Sequence, residues 1–247
     1  MRRIEITLLA LAAMTPGTLL AQGKCDGLPT ERELRNNFGQ LFTVPNTVGA
    51  DSPVGGLFNG ARMWAAVVNR DGELCGATTS TLDATQVWPG SQAIAKAKAY
   101  TANAFSVDTL PLSTARLYTL TQPGHSLASL GFSNLFNSAA LAPTAGSSGG
   151  QGQIAGGMIF FGGGVPLYDS KGKIIGGLGV SGDTACADHE VAKRLRHLSG
   201  LNPPAGPLAD DITYTVADGS TVFTHPLCLN TWRNGTMLGT EKPASGY

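Results

Sequence analysis

The sequence carries little charge. Only 14% of its 247 residues are Asp, Glu, Lys or Arg, and 17 basic and 17 acidic side chains cancel to a formal net charge of zero. This argues against broad electrostatic attraction to nucleic acid or to an anionic membrane. A surface so poor in charge, in a chain with 33 glycines, suits burial against other subunits. Chemical motifs are missing too. No C-x-x-C-H occurs, which argues against covalent attachment of a c-type haem. The spacing Cys186-x-x-His189 suits a metal, but no second C-x-x-C or H-x-x-x-H completes a zinc site, so no metal is expected. The glycine clusters at 162–164 and 176–177 match neither G-x-G-x-x-G nor a phosphate-binding loop. Ser181, in Gly-Val-Ser-Gly, lacks the G-x-S-x-G spacing of a serine hydrolase.

Long apolar runs are absent after the N-terminus. There, Arg2-Arg3 precede an apolar stretch to Ala21, interrupted by Pro16-Gly17. A basic start, a short apolar middle and a small residue at the cut form the pattern of a secretory signal peptide over 1–22, with an uncleaved anchor as the alternative. Export to the periplasm or beyond then favours two disulfides among Cys25, Cys75, Cys186 and Cys228, with three pairings open.

Thr30-Glu31-Arg32-Glu33 has the form of a capping box, and Leu34, Phe38 and Leu41 recur at helical spacing, so a short helix is expected to about Phe42. Residues 43–60 read as a loop. Met63-Trp64-Ala65-Ala66-Val67-Val68 reads as a buried strand, turned by Asn69-Arg70-Asp71-Gly72 into a return strand over 74–79. Trp88-Pro89 opens a helix, with Pro89 in its first turn and a small-residue face at Ile94, Ala97, Thr101 and Ala104. Residues 106–157 form a long excursion with a short helix expected near 126–135. A second hairpin spans 165–180, and a helix over 188–198 places acids early and bases late, as the helix dipole favours. The order hairpin, helix, connection, hairpin, helix defines an α+β fold with a mainly antiparallel sheet. The expected organisation is a leader over 1–22, a helix and loop over 23–60, the main domain over 61–200 and, over 201–247, an extension wrapping the domain and tied down by Cys228.

Three motifs carry a family resemblance. Lys98-Ala99-Tyr100-Thr101-Ala102-Asn103-Ala104-Phe105, Gly162-Gly163-Gly164-Val165-Pro166-Leu167, and GGLGVSG at 176–182 followed by Asp188 and Val191-Ala192 resemble, in order, those of the GlcG/HbpS family of haem-binding or haem-degrading domains. The resemblance implies a profilin-like sheet of about five strands flanked by helices, assembly into homo-oligomers, and haem as the ligand of some members. Some members ligate haem iron through a His on the first helix, and residues 30–42 contain none.

The site expected from these motifs has His189, Asp188 and Lys98 as catalytic or proton-exchanging groups, and Gly163, Gly164, Thr101, Ser181 and His125 as ligand-binding residues. Backbone N–H groups of the glycine loop would form an anion nest. The plainer reading makes Asp188 a helix cap, His189 and Lys98 solvated, and His225 structural. The leading functional expectation is an exported protein that binds a small ligand, with haem first. The alternatives are a cofactor-free lyase or isomerase using the acid–base groups, and a structural partner of a periplasmic dehydrogenase.

Overall fold

The computed structural model describes residues 24–49, 51–142 and 149–243. The expected leader over 1–22 lies outside them. No helix among the described residues is long and apolar enough to cross a membrane.

A four-stranded sheet forms the centre. Its strands are β1 (Trp64–Asn69), β2 (Leu74–Thr79), β3 (Gly164–Tyr168) and β4 (Ile174–Ser181), in the order β2-β1-β4-β3 and antiparallel throughout. Both expected hairpins are present. The sheet has four strands where about five were expected, and the chain after Gly200 forms two separate pairs, β5 (Thr213–Tyr214) with β6 (Thr224–His225) and β7 (Thr231–Arg233) with β8 (Thr236–Gly239).

Side chains alternate across β1, as the pleat dictates. Trp64, Ala66 and Val68 pack on one face with Ala95 and Ala99 of α2 (Ser91–Phe105). Ala65 and Val67 pack on the other with Leu34 and Phe38 of α1 (Glu31–Phe38) and Val191 and Leu195 of α3 (Ala185–Leu198). The sheet is therefore buried on both faces between helices. Helix α2 lies so close to β4 that a Cβ on Gly177 would stand 2.2 Å from the Ala99 carbonyl, and one on Gly179 2.0 Å from that of Ala95. Glycine on the strand and alanine on the helix are two halves of one close approach.

Element boundaries differ from expectation where capping decides them. The capping box at Thr30 forms, but α1 ends at Phe38, where the Gly39 N–H turns back to Asn36 and the Gln40 N–H to Asn37. Pro89 precedes the N-cap Gly90 of α2 instead of lying within its first turn. Helix α3 starts at Ala185 because Thr184 caps it by accepting from the Ala187 N–H, so Asp188 lies inside the helix. Only a 3₁₀ turn, Leu130–Ser133, occupies the place of the short helix expected near 126–135. The sheet edges are covered: β2 exchanges backbone bonds with Gly152 and Gln153, and Tyr168 of β3 donates to the Leu201 carbonyl. Two disulfides, Cys25–Cys75 and Cys186–Cys228, cross-link the described residues.

Candidate functional site

Helix α3 has a polar sequence, yet every residue from Cys186 to Arg196 is buried. Segments from both ends of the chain cover its charged face and supply partners. Arg196 forms a two-pronged pair with Asp210 at 2.7 and 2.9 Å. Lys193 binds Glu190 at 2.5 Å, Asn234 at 2.5 Å and Asp211 at 3.1 Å. Arg194 donates to the carbonyls of Leu41, Ser52 and Pro53. Charges removed from water this fully are tolerated only when each is paired and hydrogen-bonded.

Lys98 and Asp188 join the two helical layers. The Lys98 ammonium lies 2.7 Å from Asp188 Oδ2, donates to the Val180 carbonyl at 3.0 Å, and sits 4.8 Å from the Phe161 ring centre. Asp188 Oδ1 accepts from the Asp183 N–H at 3.0 Å. Burial pushes the Asp188 carboxyl up to about 6, with Lys98 opposing the rise. Burial likewise pulls Lys98 down, against the pull of Asp188. Gly163 is fixed by this pair: its φ is +119°, and a Cβ there would stand 2.7 Å from the Lys98 nitrogen. Lys98, Gly163 and Asp188 therefore do converge.

The neighbouring residues are also engaged. The Gly162 and Gly164 N–H groups, expected in an open anion nest, donate to His225 Nε2 at 3.3 Å and to Thr114 Oγ1 at 2.8 Å. Thr101 donates to the Ala97 carbonyl and accepts from the Ile159 N–H. Ser181 is buried at the end of β4, opposite Trp64. His125 is exposed in the excursion, and no hydrogen bond or ring contact described joins its side chain to the rest of the set.

His189 is buried rather than solvated, with 1% of its surface exposed. Its Nε2 lies 3.2 Å from the Ile212 nitrogen and 3.3 Å from Asp211 Oδ1, while Nδ1 has no hydrogen-bond partner among the described residues. Burial works to raise the Asp211 carboxyl, but Lys193, His189 and Asn234 outweigh it and hold Asp211 well below the usual carboxylate range. His225 completes the cluster, its ring centre 4.9 Å from that of Tyr118 and 6.3 Å from that of Tyr214. Burial pushes its imidazole down to about 4, despite the bond from Nδ1–H to the Pro226 carbonyl. Sequence reasoning set His225 aside as structural and passed over Asp211. The signal available for His225 was its spacing to Cys228, the reverse of Cys186 to His189.

Two cavities lie elsewhere. One, of about 550 Å³, is bounded by residues 25–30, Glu33, Asn37, Leu198, Ser199 and Leu201. A more apolar cleft of about 240 Å³ lies on the outer face of α2, against Ile94, Ala97, Leu135, Phe136, Met158 and Ile159. Lys98, Asp188, His189 and His225 line neither. Sequence reasoning did not pick out Met158.

Together these features define an α+β protein with a double-covered antiparallel sheet, a buried polar helix and an open apolar cleft. The chain belongs to the family described as haem-degrading protein HbpS-like, whose model matches residues 57–196. Among solved structures it is similar to Klebsiella pneumoniae protein ORFY, with 20% identity and a TM-score of 0.45 over 78% of this chain and 98% of that one. It is similar to PduOC in a crystal structure of its haem complex, with 20% identity and a TM-score of 0.44 over 75% and 96%. It is also similar to a double mutant of HbpS from Streptomyces reticuli, with 18% identity and a TM-score of 0.42 over 80% and 97%. No curated protein matches the chain.

Proposed function

We propose that this chain is an exported haem-binding protein that lays the apolar face of the haem against the cleft on α2. The family membership supports haem as the ligand class. The observation that carries the location is the cleft itself, whose mainly apolar wall includes the thioether of Met158. Phe132 and Leu135, beside it in the chain, are 86% and 80% exposed. Exposed apolar side chains gathered at a cleft mark a binding surface. A thioether is one of the side chains that hold haem iron. Gly157, with φ +77°, keeps the cleft shallow, since a Cβ there would stand 2.9 Å from Ala97 Cβ. At about 240 Å³ the cleft is smaller than the ~300–1,000 Å³ of an enclosed ligand site, so it covers one face of a flat ligand. A second copy of the chain over the other face fits the low surface charge, and self-association is part of this reading.

Bound haem would supply a redox-active iron. The chain's own part is to bury one face, present the Met158 sulfur and exclude water there. The acid–base alternative rests on Lys98, Asp188 and His189, all sealed away from both cavities, and no specific observation favours it or the structural-partner alternative. Export is supported by the two disulfides, which belong to an oxidising compartment.

A titration of haemin into the purified protein tests the reading. The expected result is a saturable Soret change with a fixed stoichiometry, altered in position by Met158→Ala and lost in Ala97→Trp, which fills the cleft. A Soret response that never saturates, or one unchanged in both variants, overturns it.

A further inference from the structure

Two short motifs mirror each other in the sequence: Cys186-x-x-His189 on α3 and His225-x-x-Cys228 in the tail. The fold lays one against the other. Cys186 and Cys228 are joined with a Cα separation of 5.9 Å, and a ring nitrogen of His225 lies within 4.8 Å of both sulfurs. All three residues are buried. His189 follows Cys186 by one helical turn and so shares its face of α3. Both histidines border Gly162, whose N–H donates to His225 Nε2 and whose Cβ, if present, would stand 3.1 Å from His189 Cβ. His189 Nδ1 is sealed from water with no partner among the described residues, and an unpaired buried polar atom is costly.

We infer that reduction of the Cys186–Cys228 disulfide opens a Cys₂His₂ site for a soft divalent cation such as Zn²⁺, with Cys186, Cys228 and His225 as three ligands and His189 as the fourth. Tetrahedral zinc with Zn–S bonds of about 2.3 Å holds its sulfurs roughly 3.8 Å apart, a spread that rotation of two cysteine side chains can reach. Cys186 occupies the first turn of α3, and its N–H donates to Cys228 Sγ at 3.2 Å. Both sulfurs thus sit at the positive end of a helix, which favours the thiolate that a metal needs. The Pro226 carbonyl accepts from His225 Nδ1–H at 2.7 Å, the kind of outer contact that orients a ligating histidine, and a metal at Nε2 would take the place of the Gly162 N–H that Nε2 now accepts. The fourth ligand would also give His189 Nδ1 the partner it lacks.

Two equivalents of a small thiol reduce the disulfide to two protein thiols and are themselves oxidised to a disulfide. Zn²⁺ then displaces the two thiol protons, and two thiolates neutralise its charge. The same two cysteines therefore tether the tail when oxidised and, with His225 and His189, hold a metal when reduced.

The test is a Co²⁺ titration of the full chain, before and after anaerobic reduction with a phosphine, followed by absorbance and circular dichroism. One Co²⁺ per chain should bind only after reduction, with thiolate-to-metal charge-transfer bands and intense tetrahedral d–d bands, and Zn²⁺ should displace it. Cys228→Ser should abolish the charge-transfer bands of the intact site. His225→Ala and His189→Ala should each weaken binding at least about tenfold. The Cys25→Ser/Cys75→Ser variant should bind as wild type does. If the reduced chain loses its native dichroism, one equivalent of Zn²⁺ should restore it. The inference is overturned by a reduced chain that gives no thiolate band, by a band that survives Cys228→Ser, by His189→Ala binding unchanged, or by an unfolded reduced chain that zinc does not restore.

Discussion

Replacing Lys98 with Met should destabilise the protein by an amount that depends on pH. The substitution keeps most of the side-chain volume but leaves the Asp188 carboxyl buried with the Asp183 N–H as its remaining described hydrogen bond. Removing one partner of a buried ion pair costs about 3–5 kcal/mol when the other stays charged. Asp188 already has a raised value of about 6 in the folded protein, against 3.8 for the free side chain. A raised folded-state value means that the stabilising contribution is complete below the unfolded value and is lost as pH rises through the folded one. For Asp188 in the wild type that loss is about 3 kcal/mol between pH 4 and the range well above 6. Without Lys98 the carboxyl is pushed higher still, and each further unit adds about 1.4 kcal/mol of loss at high pH. Urea unfolding at pH 5, 6, 7 and 8 should therefore show a small gap between variant and wild type at pH 5 that widens by up to about 1.4 kcal/mol per pH unit above 6, to about 3 kcal/mol at pH 8. Adding Asp188→Asn, which removes the charge, should recover most of the loss at pH 8. A gap that is flat with pH, or a double variant no better than the single one, would refute the buried pair.

Other expectations follow from the same geometry. Cys25→Ser/Cys75→Ser opens a disulfide spanning 50 residues and should cost up to about 4 kcal/mol by chain entropy; unreduced wild type should show no alkylatable thiol by intact mass. Lys96 donates to Gln92, Ala140 and Gly149 with no acid among these partners, and burial pushes it down to about 8. Its depressed value means stability present above about 10.5 and lost as pH falls through about 8, so the Lys96 side-chain resonance should titrate near 8 rather than near 10.5. Light scattering at micromolar concentration should give at least two subunits, and a clean monomer would remove self-association from the proposed function.

The local features of this fold were legible because their causes are local. The turn Asn69-Arg70-Asp71-Gly72, the capping box at Thr30 and the alanines of α2 each carry their structural reason within a few residues. The start of α3 was misjudged because Asp188 has the charge expected of a first turn, whereas Thr184 holds the cap. The burial of Lys98, Lys193, Arg194 and Arg196 had no local signature. A lysine or arginine on a helix reads as solvated until distant chain covers it; here segments around residues 41–53 and 207–234 cover Lys193, Arg194 and Arg196, and Phe161, Val180 and Asp188 surround Lys98. The covered sheet edges arise the same way. Met158 was illegible because its significance depends on Ile94 and Ala97 across the cleft, more than fifty residues away.

The central claim is that haem binds on α2 at the cleft beside Met158. Methionine-methyl NMR during a titration with paramagnetic ferric haemin tests it most directly. Met63 is fully buried in the core against α1 and α3, and Met237 lies on β8 in the tail. The Met158 methyl resonance should broaden away by one equivalent while those of Met63 and Met237 persist. A Met158 resonance unchanged at saturation, with broadening at Met63 or Met237 instead, would contradict it.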